Sequence, residues 1–318
     1  MEPTDPYTPD EENGMQENLS PQPPPESSNL FFQYVLPVLL LIATCFVTVL
    51  AGAYQVNAMP VEGPWDLFLK HPDSLVNGLP YALTLLTILF THRFGYYILS
   101  RHYKIPALLP LFLPNTPNFI GGGGAFIRIN PTSINRKALF DISVSGTIIG
   151  FLVATLSLII GLFLSTHVPR ESSSGLNLGE SLSMKGLAWL IHGDISADYD
   201  IVLHPIGFAG WYGLFVINVC LIPYFRTDGA FVGQAVWGKQ QQWVNWVVVA
   251  VFIILGAFGW LGWLAWLIAL PLMGLLVGKR IPPVEDPEAA LGAVRKKIGW
   301  GVALIFILTF MPLPFYFG

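Results

Sequence analysis

The chain has 318 residues, of which 53% are hydrophobic and 11% are charged, against roughly 25% charged residues in an ordinary soluble domain. A soluble globule of this length could not bury so much apolar surface, so the sequence predicts an integral membrane protein. The net charge of −4 offers no basic surface for nucleic acid. Long uninterrupted apolar runs argue against an outer-membrane barrel, whose strands alternate.

The order of the apolar runs predicts an all-α polytopic protein with six or seven transmembrane helices. Residues 1–29 are acidic, rich in proline and free of Lys and Arg, so they are expected to form a disordered tail. Residues 30–318 are expected to form the transmembrane domain. The predicted spans cover about 30–54, 78–100, 137–165, 204–223 and 298–317.

Residues 243–278 carry no charge and need a separate interpretation. As one helix they would measure about 54 Å, well beyond a hydrocarbon core of about 30 Å. Two short elements with a break near Gly256, Gly259 or Gly262 are therefore expected. With two elements here, most of the lysines and arginines outside the spans fall on the side of the N-terminal tail, which the positive-inside rule assigns to the cytoplasm.

Four consecutive glycines lie between the second and third spans. Gly121, Gly122, Gly123 and Gly124 precede Phe126 in a stretch of strand-like composition that reaches residue 129, which predicts a short membrane-associated β-hairpin. Because side chains obstruct it so little, its edge could pair with an unwound segment of another membrane protein. A tight turn near lipid is the simpler alternative, and both remain open here.

Ionisable residues inside a membrane are costly and are functional candidates by default. His92 and Arg93 fall at the end of the second span, and Asp228 follows Pro223. Two simpler interpretations compete: Arg93 snorkels to the interface, and Asp228 caps a helix over 229–237. Cys220 lies in an apolar run and is predicted to be a small core residue.

The string His92-Arg93-Phe94-Gly95-Tyr96 has the spacing of H-E-x-x-H, in which two histidines on one helix face bind zinc and the glutamate acts as general base. Here Arg93 replaces the glutamate and Tyr96 the second histidine. Further strings follow in order at 121–128, 135–150, 203–214, 220–230 and 282–315. Together they resemble the site-2 protease family of intramembrane zinc metalloproteases, over roughly residues 78–317.

The resemblance implies the family fold in a bacterial inner membrane or a plastid-type membrane. It also implies that His92, Tyr96 and Asp228 stand at the zinc-ligand positions and that Cys220 stands where the family has asparagine. Only His92 and Asp228 are left as relict ligands. A guanidinium stays protonated in proteins and cannot act as a general base, so Arg93 carries no catalytic role.

The sequence therefore predicts a pseudoprotease: no zinc, no active catalytic residue, and a buried ion pair in which Arg93 takes the place of the metal beside Asp228. Its expected partners are the lipid bilayer and segments of membrane proteins, among them other membrane proteases. The alternative is an active or residually active zinc metalloendopeptidase with an unrecognised third ligand. A transporter would need internal repeats and polar midplane residues, which the sequence lacks.

Overall fold

A computed structural model describes residues 30–57, 61–107, 109–117, 120–126, 134–169, 176–194, 196, 198–277, 284, 286 and 289–317. The predicted tail, residues 1–29, lies outside this part of the chain. The helices of the described residues are α1 (Leu36–Gln55), α2 (Pro64–Lys70), α3 (Leu79–His102), α4 (Arg136–Phe163), α5 (Leu182–His192), α6 (Pro205–Leu221), α7 (Asp228–Trp237), α8 (Gln241–Phe258), α9 (Gly262–Val277) and α10 (Gly292–Thr309). Short π or 3-10 turns cover Phe31–Val35, Pro72–Gly78 and Gly238–Gln240.

Helices α3, α4 and α6 pack on one another and form the centre of the molecule. Glycines let α3 and α4 approach closely at His92. A Cβ added to Gly150 would lie 3.0 Å from the His92 Cβ, and one added to Gly95 would lie 2.8 Å from Ile149 Cδ1. Gly146 meets the His92 main chain even more closely. The small residues of α4 thus fix the position of the α3 turn that carries His92.

Six short strands form three antiparallel pairs among the described residues. Strand β1 (Leu111–Pro114) pairs with β2 (Gly122–Phe126), β3 (Thr166–Pro169) with β5 (Tyr199–Val202), and β4 (Leu176–Leu178) with β6 (Phe315–Phe317). The β2 strand thus begins on the glycine run, four residues before the expected start at Phe126. Residues 127–129 of the expected strand lie outside the described residues.

Four helices of the described residues are long and apolar enough to cross a membrane: Gln33–Gln55, Pro72–His102, Arg136–Phe163 and Asp228–Phe258. Two shorter apolar helices cover Pro205–Leu221 and Gly262–Met273. The predicted final span corresponds to α10, whose first turns carry three cations. The chain is therefore a largely helical membrane protein, while the count of six or seven crossings stays a prediction.

The uncharged stretch 243–278 contains two helices, as its length predicts. Helix α8 ends at Phe258 and α9 begins at Gly262, so the break contains Gly259. Trp263 then donates from its indole Nε1 to the Pro312 carbonyl at 2.8 Å. This bond holds the start of α9 against the C-terminal segment, and Trp266 of α9 packs against Phe215 of α6.

Candidate functional site

Helices α3 and α7 bring the predicted residues of the His92 site together in the core. Helix α3 supplies His92, Arg93 and Tyr96, which are 2%, 3% and 2% exposed. Asp228, 5% exposed, is the first residue of α7. Because α6 ends at Leu221 and the chain turns back at once, the start of α7 is placed against the middle of the membrane-spanning bundle.

The N-terminus of α7 is capped by Thr227 and not by Asp228. The Thr227 Oγ1 accepts a hydrogen bond from the Ala230 amide at 3.1 Å. It also donates to the Tyr224 carbonyl, so the cap closes the loop that follows Pro223. The interpretation of Asp228 as a helix cap is therefore wrong, because a threonine performs that task. The Asp228 carboxylate is left to face α3.

Arg93 lies against Asp228 in the interior of the molecule. Its Nη1 donates to both carboxylate oxygens at 3.3 Å, and its Nη2 donates to Cys220 Sγ at 3.3 Å. The guanidinium therefore spans two partners instead of forming a two-nitrogen fork on the carboxylate. With a residue exposure of 3%, Arg93 does not snorkel, so that interpretation is also wrong.

His92 is the second neighbour of Asp228. Its Nε2 lies 3.2 Å from Asp228 Oδ2 but has no hydrogen-bond partner among the described residues. The Tyr96 side chain is buried beside Ser143 of α4. The structure thus gathers His92, Arg93 and Asp228 at one point and places Tyr96 one turn further along the same helix.

Cys220 is a site residue that the sequence analysis placed at the family's asparagine position but interpreted as a core residue. Its Sγ, a His92 nitrogen and an Asp228 oxygen all lie within 4.8 Å of one another. A cysteine in an apolar run is indistinguishable from a core residue by composition. Its register, three residues before Pro223 at the position of the family's asparagine, was the signal that it faces the site.

Nitrogen, sulfur and oxygen donors at this separation are a chemically reasonable set for zinc, and the orphaned His92 Nε2 points into it. The arrangement of Arg93 nevertheless does not fit a metal. The guanidinium already contacts two of the three donors, Asp228 and Cys220. A zinc ion and this side chain would place two cations in one buried position.

The glycine run approaches the same point from the other side. Gly123, Gly124 and Ala125 of β2 line a cavity of about 30 Å³ together with Arg93 and Asp228. This volume holds a water molecule but not a peptide. Trp266, Leu270 and Met273 of α9 also line the cavity.

The first two glycines have a packing role instead. Gly121 has φ +75°, and a Cβ there would lie 2.5 Å from the Val47 carbonyl of α1. The Gly122 carbonyl accepts a hydrogen bond from Tyr212 at 2.9 Å. Gly121 and Gly122 thus anchor the strand, whereas Gly123 and Gly124 face the site. The side chain of Phe126 lies outside the described residues.

Comparison with known proteins shows the family of this chain. Residues 80–257 match the family model of peptidase family M50, and the chain belongs to this family, that of the site-2 proteases. The match covers the helix of His92 and the start of α7. Family membership therefore supports the membrane location of the helices, which the composition also indicates.

The curated relatives include plant chloroplast proteins. The chain is 28% identical over 304 residues to the probable zinc metalloprotease EGY1, chloroplastic, of Arabidopsis thaliana, covering 89% of this chain and 54% of that protein. It is 29% identical over 174 residues to Arabidopsis EGY2, covering 53% and 30% of the two chains. Rice EGY1 is 26% identical over 227 residues, covering 65% and 38%. The chain spans about half or less of these relatives' length, and no solved structure matches it.

Proposed function

We propose that this chain is a catalytically inactive site-2 protease homologue, which holds segments of other membrane proteins without cleaving them. The observation that carries the proposal is the buried contact of Arg93 Nη1 with both Asp228 oxygens, at 3.3 Å each. A fixed positive charge there disfavours a divalent cation, and the position of the general base holds a group that cannot accept a proton. Loss of a general base alone costs about 10²–10⁴ in rate.

The binding role rests on the edge of β2. Strand β2 pairs with β1 on one side, and Gly123 and Gly124 face the cavity on the other. An unwound segment can add to such an edge through main-chain hydrogen bonds, because the glycines carry no side chains of their own. Trp266 and Leu270 cover this edge, so α9 must move before a segment binds. The bound proteins would be single-span regulators or other membrane proteases.

The proposed location is a plastid-type or bacterial inner membrane, with the N-terminal tail on the cytoplasmic or equivalent side. The chloroplast names of the relatives and the distribution of basic residues support this assignment.

Photocrosslinking tests the binding role. A photoreactive residue replaces Met273, which lines the cavity, or in the control Leu272, which is 58% exposed on the outer face of α9. The probe is a synthetic single-span peptide with Asn-Pro at its centre, and the comparison peptide carries Leu-Leu there. We expect the Asn-Pro peptide to crosslink at position 273, uncleaved, several-fold more than at 272. Equal crosslinking at both positions would show that the peptide does not bind specifically at the β2 edge.

A residually active zinc enzyme is the second candidate, and Cys220 is the observation that favours it. His92, Cys220 and Asp228 offer the three ligands that the sequence alone failed to supply. Zinc binding requires Arg93 to move away from Asp228, because the carboxylate cannot coordinate zinc and keep its contact with the guanidinium at the same time. Zinc in the wild-type protein and its absence from the Cys220→Ser variant would support this candidate against the first.

A further inference from the structure

A second and much larger cavity lies away from the His92 site, between α7 and α10. Its volume is about 710 Å³, in the range of small-molecule sites. The walls are apolar, with Val232 and Val236 from α7 facing Val302 and Phe306 from α10. Trp300 and Ile307 in its lining are 79% and 55% exposed, so this space is a groove that opens to the surface of the molecule and not an enclosed void. In a bilayer, such a space between two helices accepts hydrocarbon.

The two ends of this cavity differ in character. Lys296 and Trp300 lie at the first turns of α10, whereas Phe306 and Ile307 lie near its end. From Lys296 to Ile307 the helix rises about 16 Å, close to half of the roughly 30 Å hydrocarbon core. The cavity therefore has the depth of one leaflet. Trp237 joins Trp300 in the lining, and both are residues that favour the headgroup level.

Two cations, Arg136 and Lys296, line the headgroup end, and none of the lining residues that the structure describes is acidic. The Arg136 guanidinium donates to the Ala235 carbonyl at 2.6 Å and to the Ala289 carbonyl at 2.8 Å, which fixes this cation at the cavity edge. Lys296 is exposed and has no ion-pair partner among the described residues.

We propose that this cavity is a binding site for an anionic glycerophospholipid, with an acyl chain between α7 and α10 and the phosphate at Lys296 and Arg136. Basic pockets between transmembrane helices select anionic headgroups in this way. The bound lipid fills the space that separates α10 from the helix carrying Asp228. It does not depend on whether zinc binds at the His92 site.

The test measures lipid retention by native mass spectrometry on full-length protein from mixed micelles with equal amounts of phosphatidylglycerol and phosphatidylcholine. The wild-type protein should retain phosphatidylglycerol in preference. Lys296→Gln should reduce that preference about fivefold, the effect of one lysine near a membrane surface. The matched control is Lys297→Gln, which removes the same charge one residue away and does not line the cavity.

A second pair of variants tests the acyl-chain part of the site. Ala303 lines the cavity, so Ala303→Trp should lower retention of both lipids, whereas Leu304→Trp, on the outer face of α10, should not. Two results would overturn the proposal: no preference for phosphatidylglycerol in the wild-type protein, or equal losses in Lys296→Gln and Lys297→Gln. Ala303→Trp retaining lipid like Leu304→Trp would equally contradict it.

Discussion

At the scale of single residues, the central feature of the site is the buried arginine at position 93. An arginine and an aspartate that are both at least 95% buried carry a large desolvation cost, which their mutual contact helps to offset. The Asp228 carboxylate also sits at the N-terminus of α7, where the helix dipole favours negative charge. Removing one partner would leave an uncompensated charge in the membrane interior.

A double-mutant cycle tests this coupling. Arg93→Met and Asp228→Asn should each lower the free energy of unfolding by about 3–5 kcal/mol, because each leaves one buried charge alone. The double variant should lose less than the sum by more than about 1 kcal/mol. Unfolding in mixed micelles, followed by tryptophan fluorescence, gives the values. Costs that add to within about 0.5 kcal/mol would show that the two residues are independent.

The glycines of α4 make a second prediction at the residue scale. A Cβ at Gly146 would lie 3.1 Å from His92 Cδ2 and still closer to the His92 carbonyl. Gly146→Ala should therefore cost about 1–3 kcal/mol of stability through overpacking. Gly186→Ala is the matched control, since no atom lies within 4 Å of its Cβ position and alanine favours a helix. Equal stabilities of the two variants would contradict the close contact of α3 with α4.

At the scale of elements, the ion pair of Arg295 with Asp141 joins α10 to α4. Arg295 Nη2 lies 2.7 Å from Asp141 Oδ2, and Tyr103, just past the end of α3, donates to the same oxygen. Burial and this hydrogen bond raise the pKa of Tyr103 to about 12. The folded protein thus favours the neutral phenol over the phenolate.

The stabilisation by Tyr103 should depend on pH. It is fully present below the pKa of an unfolded tyrosine, about 10, and is lost as the pH rises through about 12. Tyr103→Phe should lower the unfolding midpoint at neutral pH, and its difference from wild type should shrink between about pH 10 and 12. Tyr199→Phe, on exposed strand β5, is the control. A constant difference for Tyr103→Phe across that window would contradict this role.

Local sequence signals predicted most of the elements but not all of their contacts. Apolar length and glycine position placed α3, α4, α6 and the break at Gly259. The H-E-x-x-H spacing singled out His92, Arg93 and Tyr96, and Asp228 was found as an ionisable residue just past Pro223. The role of Cys220 in the site was not predicted, because composition does not distinguish a cysteine among apolar neighbours from a core residue. The covering of β2 by Trp266 was not predicted either, because it joins residues about 140 positions apart and has no local pattern.

At the scale of the whole molecule, the distribution of basic residues predicts an orientation. Single cysteines introduced by Ser27→Cys and Lys239→Cys should react with a membrane-impermeant maleimide from one side of sealed vesicles, and Lys185→Cys from the other. Residues Lys239 and Lys185 are exposed, so labelling reports sidedness. The native protein is the blank. Labelling of Ser27→Cys and Lys185→Cys from the same side would refute the predicted crossings.

Membership of a metalloprotease family and the arrangement of Arg93 point to opposite expectations for the metal. The family leads one to expect zinc, whereas the guanidinium contacts the donors that a zinc ion would need. The sequence itself provides a control, since two substitutions, Arg93→Glu and Tyr96→His, rebuild the complete H-E-x-x-H string around His92.

Zinc content, measured by elemental mass spectrometry on detergent-purified protein, tests the central claim most directly. The wild-type chain should contain well below one equivalent of zinc. The Arg93→Glu, Tyr96→His double variant should approach one equivalent and lose it again when Asp228→Ala is added. Near-stoichiometric zinc in the wild-type chain, removed by Asp228→Ala or Cys220→Ser, would contradict the account and identify a working metal site.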